Sequence, residues 1–324
     1  MIAPMRTSSR WAFALSLLAV ACTPPVQLTP PPATAAAAEI RLSGASVLIG
    51  AGDIARCDSP GDEATAELVD SVLRADSVAK VHDEVFIAGD DAMPNGTARN
   101  FALCFGPSWG DPAKLIMRNV RPALGNHDYL SAGAAAYYRY FGSRAGPDQR
   151  GYYGYDIGAW HAIVLNSEMV VDSGAFTDAE RTAQEAWLRQ ELDTHRQKCT
   201  VAYWHHPRFS SGWHGPYAQL GPLWRILYGG GVDLILNGHD HDYERFLPQT
   251  PEGTLDTARG MTEVIVGTGG DVLRGFRSTI APHSAFRVQG HYGVLKLTLG
   301  GAEWRSAFVD THGRTYDEQA GRCH

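Results

Sequence analysis

The chain has 324 residues, 44% hydrophobic and 19% charged, with 13 histidines and a formal net charge of −7. That composition suits a folded protein of one large or two small domains and excludes a disordered chain. With an acidic balance and no run of Lys or Arg, no nucleic-acid-binding surface or basic membrane patch is evident.

In chain order, Arg6 and Arg10 precede an apolar run from Trp11 to Ala21 that closes at Cys22. A basic start, a short apolar stretch and small residues at its end read as a secretory signal over residues 1–22. The run falls short of the roughly twenty residues a membrane-spanning helix needs. "LLAVAC" also resembles a bacterial lipoprotein signal, so Cys22 is a candidate lipid anchor; ordinary cleavage is the alternative. Residues 23–41 are Pro- and Ala-rich and read as a tether. The expectation is an exported protein, periplasmic or at the cell envelope, with one domain over residues 42–324. Beyond Cys22, the cysteines are Cys57, Cys104, Cys199 and Cys323. In an oxidising compartment they can pair in three ways. Cys57–Cys104 with Cys199–Cys323 is the favoured pairing.

From Ser46 a pattern recurs: a short apolar run, then a polar cluster. "SVLIGAGDIA" carries Asp53, "DEVFIAGDDAMPNG" carries Asp90, and "VRPALGNHD" carries Asn126 and His127. "TVAYWHHPRFSSG" carries His205 and His206, and "VDLILNGHDHDYER" carries His239 and His241. Apolar runs of this kind are strands buried on both faces. Open sheets of such strands place ligands beyond their strand ends, so the clusters should converge. His239 and His241 stand two apart and point the same way in extended chain, as a metal site needs.

Helices are expected between the strands. In "TAELVDSVLRADSVA" the apolar stripe is Leu68, Val69, Val72, Leu73 and Val78. In "TDAERTAQEAWLRQELDTH", Thr177 and Glu180 have capping-box spacing, and the stripe is Ala183, Trp187, Leu188 and Leu192. "HAIVLNS" and "TEVIVGTGG" read as buried strands, with His161 a satisfied core histidine and residues 267–271 a tight loop near the site. "GVLKLTL" and "EWRSAFVD" alternate and are split by "GG", as an antiparallel hairpin.

Carboxylate, amide oxygen and imidazole together suit Zn, Fe or Mn. The blocks "GDIA", "GDDAM", "GNHD", "HHP" and "GHDHDYER", in that order, resemble the calcineurin-like metallophosphoesterase superfamily and its purple-acid-phosphatase-like branch. The resemblance implies an α/β fold, a four-layer αββα sandwich of two mixed β-sheets with the metal site at the strand ends. It implies two metal ions (Fe, Zn or Mn). Asp90 would bridge them, Asp53 and His241 would complete the first site, and Asn126, His205 and His239 the second. His127 would be catalytic, at the leaving group. His214 and Asn126 would contact substrate. Tyr243 and Arg245 would brace the ligand loop, with a phosphate contact as Arg245's alternative role.

The branch carries a tyrosine ligand where Met93 stands here, and a thioether suits a hard cation poorly. Water would fill the gap, or Asp91, Asn95 or Asp58 would reach in, or the first metal would be a loosely held divalent ion rather than iron(III). The implied activity is hydrolysis of a small-molecule or nucleotide phosphate ester by a metal-bridging hydroxide, with phosphomonoesters favoured over diesters. The alternatives are a catalytically weakened scaffold acting as a surface binding protein, and a hydrolase of another bond.

Overall fold

The run Ser46–Ala51 is apolar but for Ser46 and its glycine, and it forms a strand, β1, buried at every residue. The computed structural model describes Met1 and residues 44–172, 175–196 and 198–324. The expected signal and tether, with Cys22, lie outside the described residues apart from Met1. In the first sheet the strand order is β13 (Thr315–Arg322), β12 (Glu303–Asp310), β11 (Gly293–Leu299), β1, β2 (His82–Ala88), β3 (Val120–Ala123). The β1–β2 and β2–β3 pairs are parallel. The β11–β12 pair is the antiparallel hairpin expected around Gly300 and Gly301.

The second sheet runs β10 (Ser284–Val288), β8 (Tyr243–Phe246), β9 (Thr262–Val266), β7 (Leu234–Asn237), β6 (Cys199–Tyr203), β5 (Trp160–Val164), β4 (Tyr153–Ile157). Its centre, from β5 through β6 and β7 to β9, is parallel, and β4 closes one edge antiparallel to β5. Phe86 of β2 meets Tyr203 of β6 with ring centroids 5.6 Å apart, so the sheets face each other across the main core. The helix Gly61–Ala79 covers the first sheet. The helices Asp178–Thr194 and Gly221–Gly229 pack with residues of β5, β6 and β7 in a second core. Helix, sheet, sheet, helix is the four-layer αββα sandwich expected. Among the described residues no helix is long and apolar enough to cross a membrane.

Both disulfides form as favoured, Cys57–Cys104 and Cys199–Cys323. The capping box at Thr177 and Glu180 is formed in both directions. Each helix stripe needs one correction. Val78 is exposed, because five residues past Leu73 it has rotated well off the buried face of Val69 and Leu73. Ala183 is exposed too, and Gln184 takes its place in line with Leu188 and Leu192. Gln184 tolerates burial because its amide accepts from Asn166 N at 2.7 Å and donates to Asn166 O at 3.1 Å. His161 is a satisfied core histidine, held between Asp156 and Glu191 and stacked on His195 at 3.7 Å.

Candidate metal centre

Asp53 follows β1, Asp90 follows β2, and Asn126 and His127 follow β3; in the facing sheet His205 follows β6 and His239 and His241 follow β7. Parallel strands end together, so these separate stretches of chain meet at one edge of the sandwich. His205 Nε2 lies 3.2 Å from Asp90 Oδ2, 3.1 Å from Asn126 Oδ1 and 3.1 Å from His239 Nδ1. His241 Nε2 lies 3.2 Å from Asp53 Oδ1. The donor atoms of Asp53, Asp90 and His205 lie within 4.8 Å of one another. All six candidate ligands therefore gather as expected.

The backbone explains the glycines of the motifs. Asp53, Asp90 and His239 all adopt left-handed φ, at 58°, 55° and 69°. Non-glycine residues rarely do so, and such outliers concentrate at functional sites. A Cβ on Gly125 would fall 2.1 Å from Asp90 Oδ1, so only glycine lets the Asn126 loop close on that carboxylate. Gly89, at φ 85°, has the His205 ring 2.7 Å from where a Cβ would stand.

The outer sides of the imidazoles are fixed. His205 Nδ1 bonds Ala88 O at 2.9 Å, His241 Nδ1 bonds Val272 O at 2.7 Å, and His239 Nε2 meets the Tyr217 hydroxyl at 2.7 Å. With the outer nitrogen occupied, the inner one is free to coordinate. Burial disfavours charge on His205, yet Asp90 outweighs it and raises the imidazole to about 10. Burial likewise works against His241, and Asp53 raises it to about 9. Burial pushes up on the Asp90 carboxyl too, but His205 holds it well below the usual range. His239 is driven well down by burial and by the surrounding imidazoles. Asp53 Oδ1 is buried and accepts no well-formed hydrogen bond. Buried anions of this kind need a cation, and carboxylate, carboxamide and imidazole are a donor set that fits Zn, Fe or Mn.

His206 packs beside the candidate ligands, with a ring nitrogen within 4.8 Å of donor atoms of His205 and His239. Its Nδ1 is engaged by Ser167 Oγ at 2.9 Å and lies 3.3 Å from Glu168 Oε1. His127 N donates to Asp90 Oδ1 at 2.8 Å, and its Nδ1 bonds Pro94 O. His127 Nε2 is left 4.0 Å from Asp90 Oδ2 on a side chain about a third exposed. His214 stands over the site, its ring 4.4 Å from that of His239 and 6.1 Å from that of His241. Arg245 is not at the site mouth. It grips Asp317 through Nε at 2.7 Å and Nη2 at 2.9 Å, and Tyr243 donates to the same carboxylate at 3.0 Å. That is the bracing role.

Several residues escaped sequence reading. Asp240 accepts His214 N at 2.6 Å and Gly215 N at 3.2 Å, and bonds the Ser210 hydroxyl. Glu244 accepts Ser211 N at 2.7 Å, and Glu263 accepts Arg208 N at 2.8 Å and Phe209 N at 3.1 Å. Three buried carboxylates thus pin the loop that carries His214. Asp128 similarly accepts Gly125 N at 2.9 Å and Asp90 N at 3.2 Å. The alternation "GHDHDYE" hinted at Asp240 and Glu244, since candidate ligands and anchors interleave there, and nothing comparable marks Glu263 or Asp128. Of the candidates for the place opposite Met93, Asp58 is exposed and paired with Arg56, Asn95 is exposed, and Asp91 is buried beside Asp128. A further carboxylate, Asp271, lies 3.9 Å from His241 Nδ1 and 3.1 Å from Arg56 Nη1, in the loop expected near the site.

The sequence profile of the calcineurin-like phosphoesterase family matches residues 48–243, which include every one of these candidate ligands. The chain belongs to that family. Among curated relatives, purple acid phosphatase 18 of Arabidopsis thaliana is 28% identical over 165 residues, covering 48% of this chain and 35% of that protein. An acid phosphatase of Aspergillus ficuum is 27% identical over 158 residues, covering 40% of this chain and 26% of that protein. The matches thus span well under half the length of these relatives. A purple acid phosphatase from yellow lupin seeds shares the fold with a TM-score of 0.69 at 20% identity, over 85% of this chain and 53% of that one. Membership of the calcineurin-like phosphoesterase family supports hydrolysis of phosphate esters, and the buried donor set described above is one that a metal-dependent member would use.

Proposed function

We propose that the chain is an exported phosphomonoesterase with two cations held by Asp53, Asp90, Asn126, His205, His239 and His241, and Asp90 shared between them. The observation that carries this reading is the meeting of those six side chains around Asp90, with Asp53, Asp90 and His205 donors within 4.8 Å. The monoester preference rests on the purple acid phosphatase relatives, and export on two disulfides, which persist in oxidising compartments. Two cations, when bound, would supply an activated water and Lewis acidity at the phosphoryl oxygens.

The chain's own residues supply the rest. Donating Nδ1–H to Pro94 O presents His127 Nε2 outward, where a proton on it reaches the departing ester oxygen. The Asn126 amide and the His214 ring stand beside the ligand imidazoles and orient phosphoryl oxygens. Backbone anchoring by Asp240 keeps His214 over the site without its own reorganisation.

The test is phosphate release from p-nitrophenyl phosphate and from bis(p-nitrophenyl) phosphate, before and after chelation. Metal-dependent release from the monoester, with far slower diester cleavage, is expected. Faster diester cleavage would make the chain a phosphodiesterase. Met93 favours a second reading, a surface binding protein on this scaffold; metal bound without hydrolysis of either ester would support it.

A further inference from the structure

Beside the metal centre lies a groove of about 630 Å³, within the range of small-molecule sites. One wall is the loop of Ser210, Trp213 and Pro216, and the other is the segment from Phe276 to Pro282. The walls are stitched together: Arg277 N donates to Ser211 O at 2.9 Å, Arg277 Nη2 to Ser210 O at 2.9 Å, and Ala281 N to Ser211 Oγ at 2.9 Å. Both walls are rooted in the site. His214 follows Trp213 directly and stands over His239, and Arg274 N donates to His241 O at 3.0 Å. The groove has none of the candidate ligands in its lining, but its two walls run on into the loops that carry His214 and touch His241.

Trp213 is the unusual feature. It is 63% exposed, and no aromatic ring among the described residues stacks on it. Its position is nonetheless fixed, because the next residue is tied by its N–H to buried Asp240 at 2.6 Å. A large aromatic face held open to solvent on a pinned loop costs apolar hydration that folding does not recover. The Phe276 and Ile280 side chains across the groove extend the apolar surface, and Arg277 places a positive charge in its lining.

We propose that Trp213 is the specificity platform of this site, and that the substrates are nucleoside phosphates whose base stacks on Trp213 while the phosphoryl group occupies the metal centre. The inference rests on the phosphomonoesterase reading and deepens it. A base is planar and fits a tryptophan face, and the positive charge of Arg277 suits an anionic ester. Stacking of a base on an aromatic side chain is worth about 5- to 150-fold by truncation. Trp213 touches the leaving group and not the reacting atoms, so its effect should fall on substrates with a base and spare those without one.

The experiment compares adenosine 5′-monophosphate with glycerol 2-phosphate, using wild type, Trp213→Ala and Trp213→Phe. Trp213→Ala should lower kcat/KM for the nucleotide by about 5- to 150-fold, leave glycerol 2-phosphate within about twofold, and be largely rescued by Trp213→Phe. Equal losses on both esters would mean that the substitution displaces His214, and no loss on either would mean an idle surface; each overturns the proposal. A second readout keeps the two readings apart. Adenosine 5′-monophosphate should quench tryptophan fluorescence in wild type and not in Trp213→Phe, whether or not it is hydrolysed. Quenching without hydrolysis would sink the phosphomonoesterase reading and leave the platform standing. Hydrolysis without Trp213-dependent quenching would do the reverse.

Discussion

Replacing Asp317 with Ala separates a structural Arg245 from a phosphate-binding one. The Asp317 side chain is 1% exposed and that of Arg245 11%, and the carboxylate takes two bonds from the guanidinium and one from Tyr243. Removing one partner of a buried pair strands the other charge, at about 3–5 kcal/mol. At about 2–4 °C per kcal/mol for domains of 150–250 residues, Tm should fall by about 6–20 °C. β8 follows directly on the loop that carries His239 and His241, so part of that loss should appear as weaker metal retention. The double variant Arg245→Met with Asp317→Leu removes both charges and should recover much of the loss. The assays are thermal unfolding by circular dichroism and KM for p-nitrophenyl phosphate at 25 °C. If Arg245→Met raised KM tenfold while leaving Tm unchanged, the bracing role would be wrong and Arg245 would be a phosphate contact.

Three further outcomes are expected. The Cys199–Cys323 bridge has a sequence separation of 124, so Cys199→Ala should cost about 5 kcal/mol in urea unfolding by the loop-entropy relation; a loss near zero would contradict a bridge formed in solution. Burial raises Glu263 from an ordinary 4.5 to about 8, against the pull of its two backbone donors. The folded chain then holds a proton there that the unfolded chain releases, so stability should fall as pH rises from about 4.5 to about 8. A pH series of unfolding free energies should be flatter in Glu263→Gln, and an unchanged slope would remove Glu263 from the account. Finally, iron-loaded protein should show no tyrosinate charge-transfer band, because Met93 stands at the branch's tyrosine position and the Tyr217 hydroxyl bonds the outer nitrogen of His239. A strong visible band would contradict this.

The meeting of the candidate ligands was legible in the sequence because each sits at the end of an apolar run, and parallel strands bring such ends to one edge. Gly89 and Gly125 were legible as motif letters, and the close approach of His205 and Asp90 gives their reason. The anchoring carboxylates were not legible. Asp240, Glu244 and Glu263 lie among ligands or within strands, and their partners are backbone N–H groups some 25 to 55 residues away. A carboxylate that satisfies a distant loop leaves no local period. The helix faces were readable in their centres but not at Val78 or Ala183. Val78 has rotated off the face of Val69 and Leu73, and Ala183 gives way to Gln184, which finds the backbone of Asn166.

The central claim is that Asp90 holds two cations together. The most direct measurement is elemental analysis of the purified chain beside Asp90→Asn, after both are dialysed against trace Zn, Fe and Mn. The account predicts about two transition-metal ions per wild-type chain and one or none in the variant. Two ions retained by Asp90→Asn, or none in wild type, would contradict it.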